Sequence, residues 1–340
     1  MPPIIDLHCD TLYRLSSEPE RFFASSGTGS THISLSGLQN AHSLLQCFAL
    51  FTDLCELPVP DSLSPLKEQL DCFHAILARS EGKLRQIKTS SDLTACIKQH
   101  TIGALLTMEE SCLSEHPVSL LPKLYEAGIR MVTLTWDYST FLASSAVNAP
   151  PRPIPNRHIF PAAFSRIPDS YPGLTPTGFD FLAEAERLGI LIDISHLSDT
   201  GFRDVAAHSS RPFLASHSNA RSVCNVPRNL TDAMLRTLAH RGGLIGLCLH
   251  EPFLTPASPT KENITEALIA HITRILNVAG SEVLALGTDF DGTPGNAAIP
   301  DISKLPHFAE QLKKTGLTSD RIDRLFYKNA LRFFKENLPA

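Results

Sequence analysis

The sequence predicts an α/β fold, a single (β/α)8 barrel of the TIM type spanning residues 1–340, on three observations. Eight short apolar runs recur along the chain. Segments with helical spacing lie between most of them. Metal-binding side chains stand at the downstream ends of several runs. Such ends converge on one point when strands run parallel around a barrel.

The runs cover about 4–10, 44–51, 102–109, 129–136, 190–196, 212–218, 243–250 and 283–290. They are continuously apolar rather than alternating, as expected of strands covered on both faces. Leu63 to Ala78 reads as a helix, with Leu66, Leu70, Phe73, Ile76 and Leu77 on one stripe. Ser91–Gln99, Val118–Ala127, Thr177–Leu188, Leu230–His240 and Ile264–Val278 follow the same spacing, as do the stretches Ile302–Lys314 and Ser319–Asn337. Ser198-Asp199 and Thr177 are placed to cap helices, and Gly128 and Gly189 to end them. From about 150 to 176 prolines cluster without periodicity, which reads as a long loop after the fourth run, on the face where a barrel carries its chemistry. A doubly wound open sheet is the alternative; the count of eight favours the barrel.

Composition narrows the function. Apolar residues make up 43% and charged residues 19%, a globular balance, and a net charge of -5 argues against nucleic-acid binding. No cationic leader, membrane span or lipid-anchor tail is visible, which predicts a soluble, cytoplasmic chain without a membrane partner. The eight cysteines form no C-x-x-C pair and read as buried thiols.

His8 and Asp10 form an H-x-D pair, side chains on one face of a strand and able to share an ion. Glu109 ends the third run and can bridge two ions through its two oxygens. His196 and His217 end successive runs, each preceded by a serine (Ser195, Ser216) that can orient it. Three imidazoles and two carboxylates at one point suit two divalent cations. Asp289, with Asp291 in register, closes the last run and suits general acid/base work. Pro300 stands where a calcium loop would need glutamate, so that motif is excluded.

Together, Ile5-Asp6-Leu7-His8-Cys9-Asp10-Thr11, Met108-Glu109, Gly128–Thr135, Ile192–His196, Ser216–Ala220, Pro227-Arg228-Asn229 and Gly287–Gly292 resemble the membrane (renal) dipeptidase family of zinc peptidases, over nearly the whole chain. The resemblance implies a homodimeric metal-dependent hydrolase barrel holding two Zn2+ ions per chain. His8 and Asp10 would bind one zinc and His196 and His217 the other, with Glu109 bridging. Arg228 would grip the carboxylate of a small dipeptide, and Asp289 would handle the proton. Two positions depart. Where members with a histidine after the Leu-Thr-Leu-Thr run use it to contact substrate, this chain has Trp136, and Glu109 is followed by Glu110 where glycine is common. The implied chemistry is peptide hydrolysis by a metal-bridging hydroxide. The alternatives are a related metal-barrel amidohydrolase acting on another amide or ester, and an inactive metal-binding relative.

Overall fold

The computed structural model describes residues 1–24, 31–53, 63–111, 113, 114, 116–147, 173–257 and 260–340. Among them nine strands form one sheet: β1 (Ile4–Asp6), β2 (Ser43–Phe51), β3 (Leu84–Ile87), β4 (Ile102–Glu109), β5 (Met131–Thr133), β6 (Leu191–Asp193), β7 (Leu214–Ser218), β8 (Leu244–Leu247) and β9 (Leu284–Leu286). All pairings are parallel. Eight strands close a ring in the order β1-β2-β4-β5-β6-β7-β8-β9, sealed where Asp6 of β1 meets Leu286 of β9. This is the predicted barrel, with surrounding helices.

Two features correct the sequence reading. The first is β3, which no apolar run announced. It pairs Ile102–Leu105 on one edge of β4, and β5 pairs Thr107 and Met108 further along that edge. The strand thus fills the lower half of a gap that the short β5 closes above. Its sequence, Leu84-Arg85-Gln86-Ile87, is buried only at its two ends, so it lacks the apolar signature of its neighbours. The second is strand length: pairing stops at Asp6, Asp193 and Leu286, not at residues 10, 196 and 290. Leu7, Cys9, Ile194 and Phe290 beyond those ends stay buried, so the apolar run outlasts the ladder.

The expected helices occur at Ser64–Arg79, Ser90–Gln99, Pro117–Ala127, Pro176–Leu188, Asp232–His240, Lys261–Ala279 and Leu305–Lys314. The last stretch is helical from Ser319 to Asn337, with a π-turn over Arg324–Lys328. Ser198 caps Asp199–His208 by accepting from the Gly201 N–H. Gly128 and Gly189 end their helices at φ 101° and 82°, backbone that glycine adopts without a Cβ penalty. Thr177 is not a cap. Thr175 accepts from the Gly178 N–H, and Pro176 takes the first turn, where its missing N–H costs nothing. The proline-rich loop lies outside the described residues as far as 172. Among the described residues no helix is long and apolar enough to cross a membrane.

Each ring strand sends a side chain into one buried cluster: Ile5, Leu45, Leu105, Met131, Leu191, Leu214, Leu244 and Ala285. Phe333 and Phe334 of the C-terminal helix join it, plugging the end of the barrel where the strands begin. The opposite end is left for chemistry. There β7, β8 and β9 press together closely: a Cβ on Gly246 would meet the Ser216 carbonyl oxygen at 1.8 Å, and one on Gly287 would meet it at 1.7 Å. Neither backbone can give way without moving Ser216, the residue before His217. Gly246→Ala is therefore expected to cost about 2–3 kcal/mol. Urea unfolding measures it; an unchanged midpoint would show that the strands can part at no cost.

Candidate metal centre

The side chains singled out in the sequence meet at the C-terminal mouth of the barrel. His8 and Asp10 follow β1, Glu109 ends β4, His196 follows β6, His217 lies in β7 and Asp289 follows β9. All are buried. His8 Nε2 lies 3.3 Å from Asp10 Oδ2 and 3.4 Å from Glu109 Oε2. Glu109 Oε1 lies 2.8 Å from His196 Nε2 and 3.6 Å from His217 Nε2. The two oxygens of one carboxylate thus face two different sets of donors. The His196 and His217 Nε2 atoms are 3.1 Å apart. Two nitrogens bound tetrahedrally at ~2.0–2.1 Å to one zinc lie about 3.3 Å apart, so the spacing suits a shared ion.

Further observations support that fit. Asp10 Oδ1 is buried without a hydrogen-bond partner. Gly292 leaves room for the acids: a Cβ there would meet Asp10 Oδ2 at 2.1 Å and Asp289 Oδ1 at 2.6 Å. The donor atoms fall into three groups that can hold a metal ion: His8, Asp10 and Glu109; Glu109, His196 and His217; and His8, His217 and Asp289.

Outer contacts aim the imidazoles. Asp137 Oδ1 sits 2.8 Å from His196 Nδ1, which leaves Nε2 turned to the cluster. Ser216 Oγ lies 2.8 Å from His217 Nδ1 and donates to Asp193 Oδ2. Asp193 also accepts from the Ser195 and Ser216 N–H groups and from Thr133. Sequence reasoning missed Asp137 and Asp193. Asp193 had a signal: a carboxylate inside an apolar strand, three residues before a candidate ligand, needs a buried partner. Asp137 had only its place beside Trp136. Glu110 accepts from the Trp136 N–H at 3.1 Å and so fixes the pocket wall. Asp291 accepts from Thr11 Oγ1 at 2.6 Å and the His32 N–H at 2.7 Å, tying the mouth loops together. Glu110, His196, Asp289 and Asp291 all have positive φ, between 61° and 68°.

The cluster is electrostatically crowded. Burial opposes a charge on His8, yet the Asp10 and Glu109 carboxylates outweigh it and raise its pKa well above the usual value. Burial would raise Glu109 too, but His8 and His196 overcome it and hold it well below the carboxylate range. Burial, with His8 and Arg228 nearby, holds His217 well below the usual histidine value. Burial, reinforced by Asp10 and Glu109 against the opposing His8, pushes Asp289 up to about 7.

Arg228 lines the same cavity of about 250 Å³, small for a ligand pocket by the usual ~300–1,000 Å³. It is buried, its Nε and Nη2 have no partner, and its guanidinium stands 5.3 Å over the Phe253 ring. An unpaired buried guanidinium is costly unless an anion completes it.

His271 braces the mouth from behind. Its Nδ1 accepts from the Ala220 N–H at 3.1 Å, and its Nε2 faces the Leu254 carbonyl at 3.0 Å. Burial lowers its pKa from 6.5 to about 4. The unfolded chain therefore takes the proton first. The stability His271 contributes is complete above pH 6.5 and is lost as pH falls toward 4. At ~1.4 kcal/mol per pH unit the loss reaches about 3 kcal/mol. His271→Gln keeps a donor and an acceptor without titrating, so it should lose less stability than wild type over that window. Equal acid sensitivity in urea titrations at pH 7 and pH 4.5 would exclude this role.

Comparison with known proteins places the chain. A family model described as membrane dipeptidase (peptidase family M19) matches residues 1–338. An uncharacterised protein of Klebsiella pneumoniae is 30% identical over 277 residues, 81% of this chain and 97% of its own length. The dipeptidase verJ of Clonostachys rogersoniana is 28% identical over 273 residues, 80% of this chain; the match spans 65% of that relative. Among solved structures, dipeptidase AC, a metallopeptidase of family M19, superimposes with a TM-score of 0.84 at 24% identity, covering 100% of this chain and 99% of that one. A metallopeptidase of Rhodobacter sphaeroides, liganded with a phosphinate mimic of the dipeptide L-Ala-D-Ala, gives 0.81 at 23% identity over 99% of each chain.

Proposed function

The chain belongs to the membrane dipeptidase family, peptidase family M19, and on that premise we propose that it is a dizinc dipeptidase. The observation that carries the proposal is the divided Glu109 carboxylate, with His8 on one oxygen and His196 and His217 on the other. His8 and Asp10 would hold one zinc and His196 and His217 the second, with one oxygen of Glu109 turned to each set. When bound, the ions supply an acidified attacking water and a polarised scissile carbonyl.

The remaining work falls to the chain's own side chains. Arg228 offers its two unpaired nitrogens to the substrate's C-terminal carboxylate, which limits the enzyme to very short peptides. Asp289 takes a proton from the attacking water and returns it to the leaving amine. Asp137 and Ser216 keep the His196 and His217 rings in register. These side chains are buried, so their contacts act in a lower dielectric than bulk water.

Chelation is expected to reduce dipeptide hydrolysis to background, and Zn2+ to restore it; turnover that survives full metal removal would end the proposal. Replacing the substrate's C-terminal carboxylate by an amide is expected to cost wild type about a hundredfold in kcat/KM and Arg228→Ala little. An equal loss in both would take Arg228 out of substrate binding. One observation favours a second reading. Trp136 stands where the family resemblance implies a substrate-contacting histidine, a change that would suit a chain that binds metal without turnover. Zinc uptake with no hydrolysis of any dipeptide would establish that reading. The proposal also carries a cytoplasmic homodimer, which light scattering and fractionation test.

A further inference from the structure

The cavity has two chemically unlike sides. On one, Tyr13, Phe51 and Trp136 form a chain of ring contacts: Tyr13 to Phe51 at 5.3 Å and Phe51 to Trp136 at 5.0 Å, with Trp136 reaching the His196 ring at 6.3 Å. Tyr13 follows β1, Phe51 ends β2 opposite Glu109, and Trp136 follows β5. On the other side, Arg228 follows β7 and Phe253 follows β8. In a ring ordered β1-β2-β4-β5-β6-β7-β8-β9, the β2–β4 sector lies across from the β7–β8 sector. The proposed metal centre lies between them.

A dipeptide placed with its carboxylate on Arg228 and its scissile bond at the centre must point its N-terminal residue at the aromatic side. We propose that Tyr13, Phe51 and Trp136 form the receptor for that residue's side chain and select dipeptides that begin with a large apolar, above all aromatic, residue. This rests on the dipeptidase reading. The wall is preformed: Phe51 is almost fully buried, and Glu110 holds the Trp136 backbone. Offset and edge contacts with an incoming ring add to the area it buries. Arg14 lines the same side of the mouth, so an acidic N-terminal side chain is the competing ligand.

Trp136 is the chain's single tryptophan, so its emission reports on this wall directly. The probes are hydrolysis-resistant analogues of Phe-Ala, Gly-Ala and Asp-Ala with the peptide bond reduced, titrated into the zinc-loaded protein. The Phe-Ala analogue is expected to shift the emission and to bind at least ~10-fold more tightly than the Gly-Ala analogue. Phe51→Ala is expected to shrink that gap to within about threefold. Tyr13→Ala, at an exposed rim position, should narrow it and serves as the test should Phe51→Ala not fold. Equal binding of Phe-Ala and Gly-Ala, no emission change with either, or tightest binding of Asp-Ala would overturn the assignment. Hydrolysis of the matching dipeptides separates the two readings. Equal turnover of Phe-Ala and Gly-Ala sinks the receptor and leaves the dipeptidase. Tight Phe-Ala binding without turnover of any dipeptide leaves the receptor and removes the enzyme.

Discussion

On the proposed dizinc assignment, His217→Ala is expected to lower bound zinc from two ions per chain to one and to reduce turnover at least about a thousandfold. His217 Nε2 stands 3.1 Å from that of His196 and 3.6 Å from Glu109 Oε1. Without it, His196 and one carboxylate oxygen remain for the second ion, too few for a stable four-coordinate site. The lost electrostatic contribution is worth several kcal/mol, and ~1.4 kcal/mol corresponds to a factor of ten. The ring is also packed: it stacks on His8 with centroids 4.0 Å apart. The measurement is therefore zinc per folded chain, with folding checked by unfolding midpoint. Two ions in the folded variant would contradict the assignment.

Asp289→Asn is expected to keep both ions and lose turnover by ~10²–10⁴-fold, with KM little changed. The substitution preserves shape and removes the proton acceptor. Burial pushes the Asp289 pKa up to about 7, close to the value that suits proton transfer at neutral pH. Added cations favour the carboxylate, so loading lowers that value. The acid limb of the wild-type pH profile is then expected below pH 7, and Asp289→Asn should lack it. Normal turnover in the variant would remove Asp289 from the reaction.

The barrel was legible because its strands are buried on both faces, and continuous apolar runs follow from that. The candidate ligands were legible for a related reason. A His or Glu that ends such a run, as Glu109 ends β4, has no partner nearby in sequence. What escaped had other physical causes. β3 lies at the barrel floor and shows solvent one of its two central residues, so its pattern is mixed. Strand ends were read too long because Leu7, Ile194 and Phe290 pack beneath the mouth loops without joining a ladder. The helix is capped by Thr175, two residues before the expected Thr177, and Pro176 marks its first turn. The acids that steer the imidazoles act across the fold: Asp137 is 59 residues from His196. No spacing rule joins such a pair.

Four residues at the mouth, Glu110, His196, Asp289 and Asp291, hold their side chains on left-handed backbone. For a residue with a Cβ that conformation costs about 1 kcal/mol, and glycine escapes the penalty. Selection of random variants for heat resistance alone is thus expected to enrich glycine at position 289, where the side chain lines the cavity and accepts a long contact, 3.8 Å, from the Cys248 thiol. At position 196 the Asp137 and Glu109 partners of the imidazole oppose that exchange. Survivors with glycine at 289 should outlast the parent in the heat and be catalytically silent. Durability and chemistry pull that position in opposite directions.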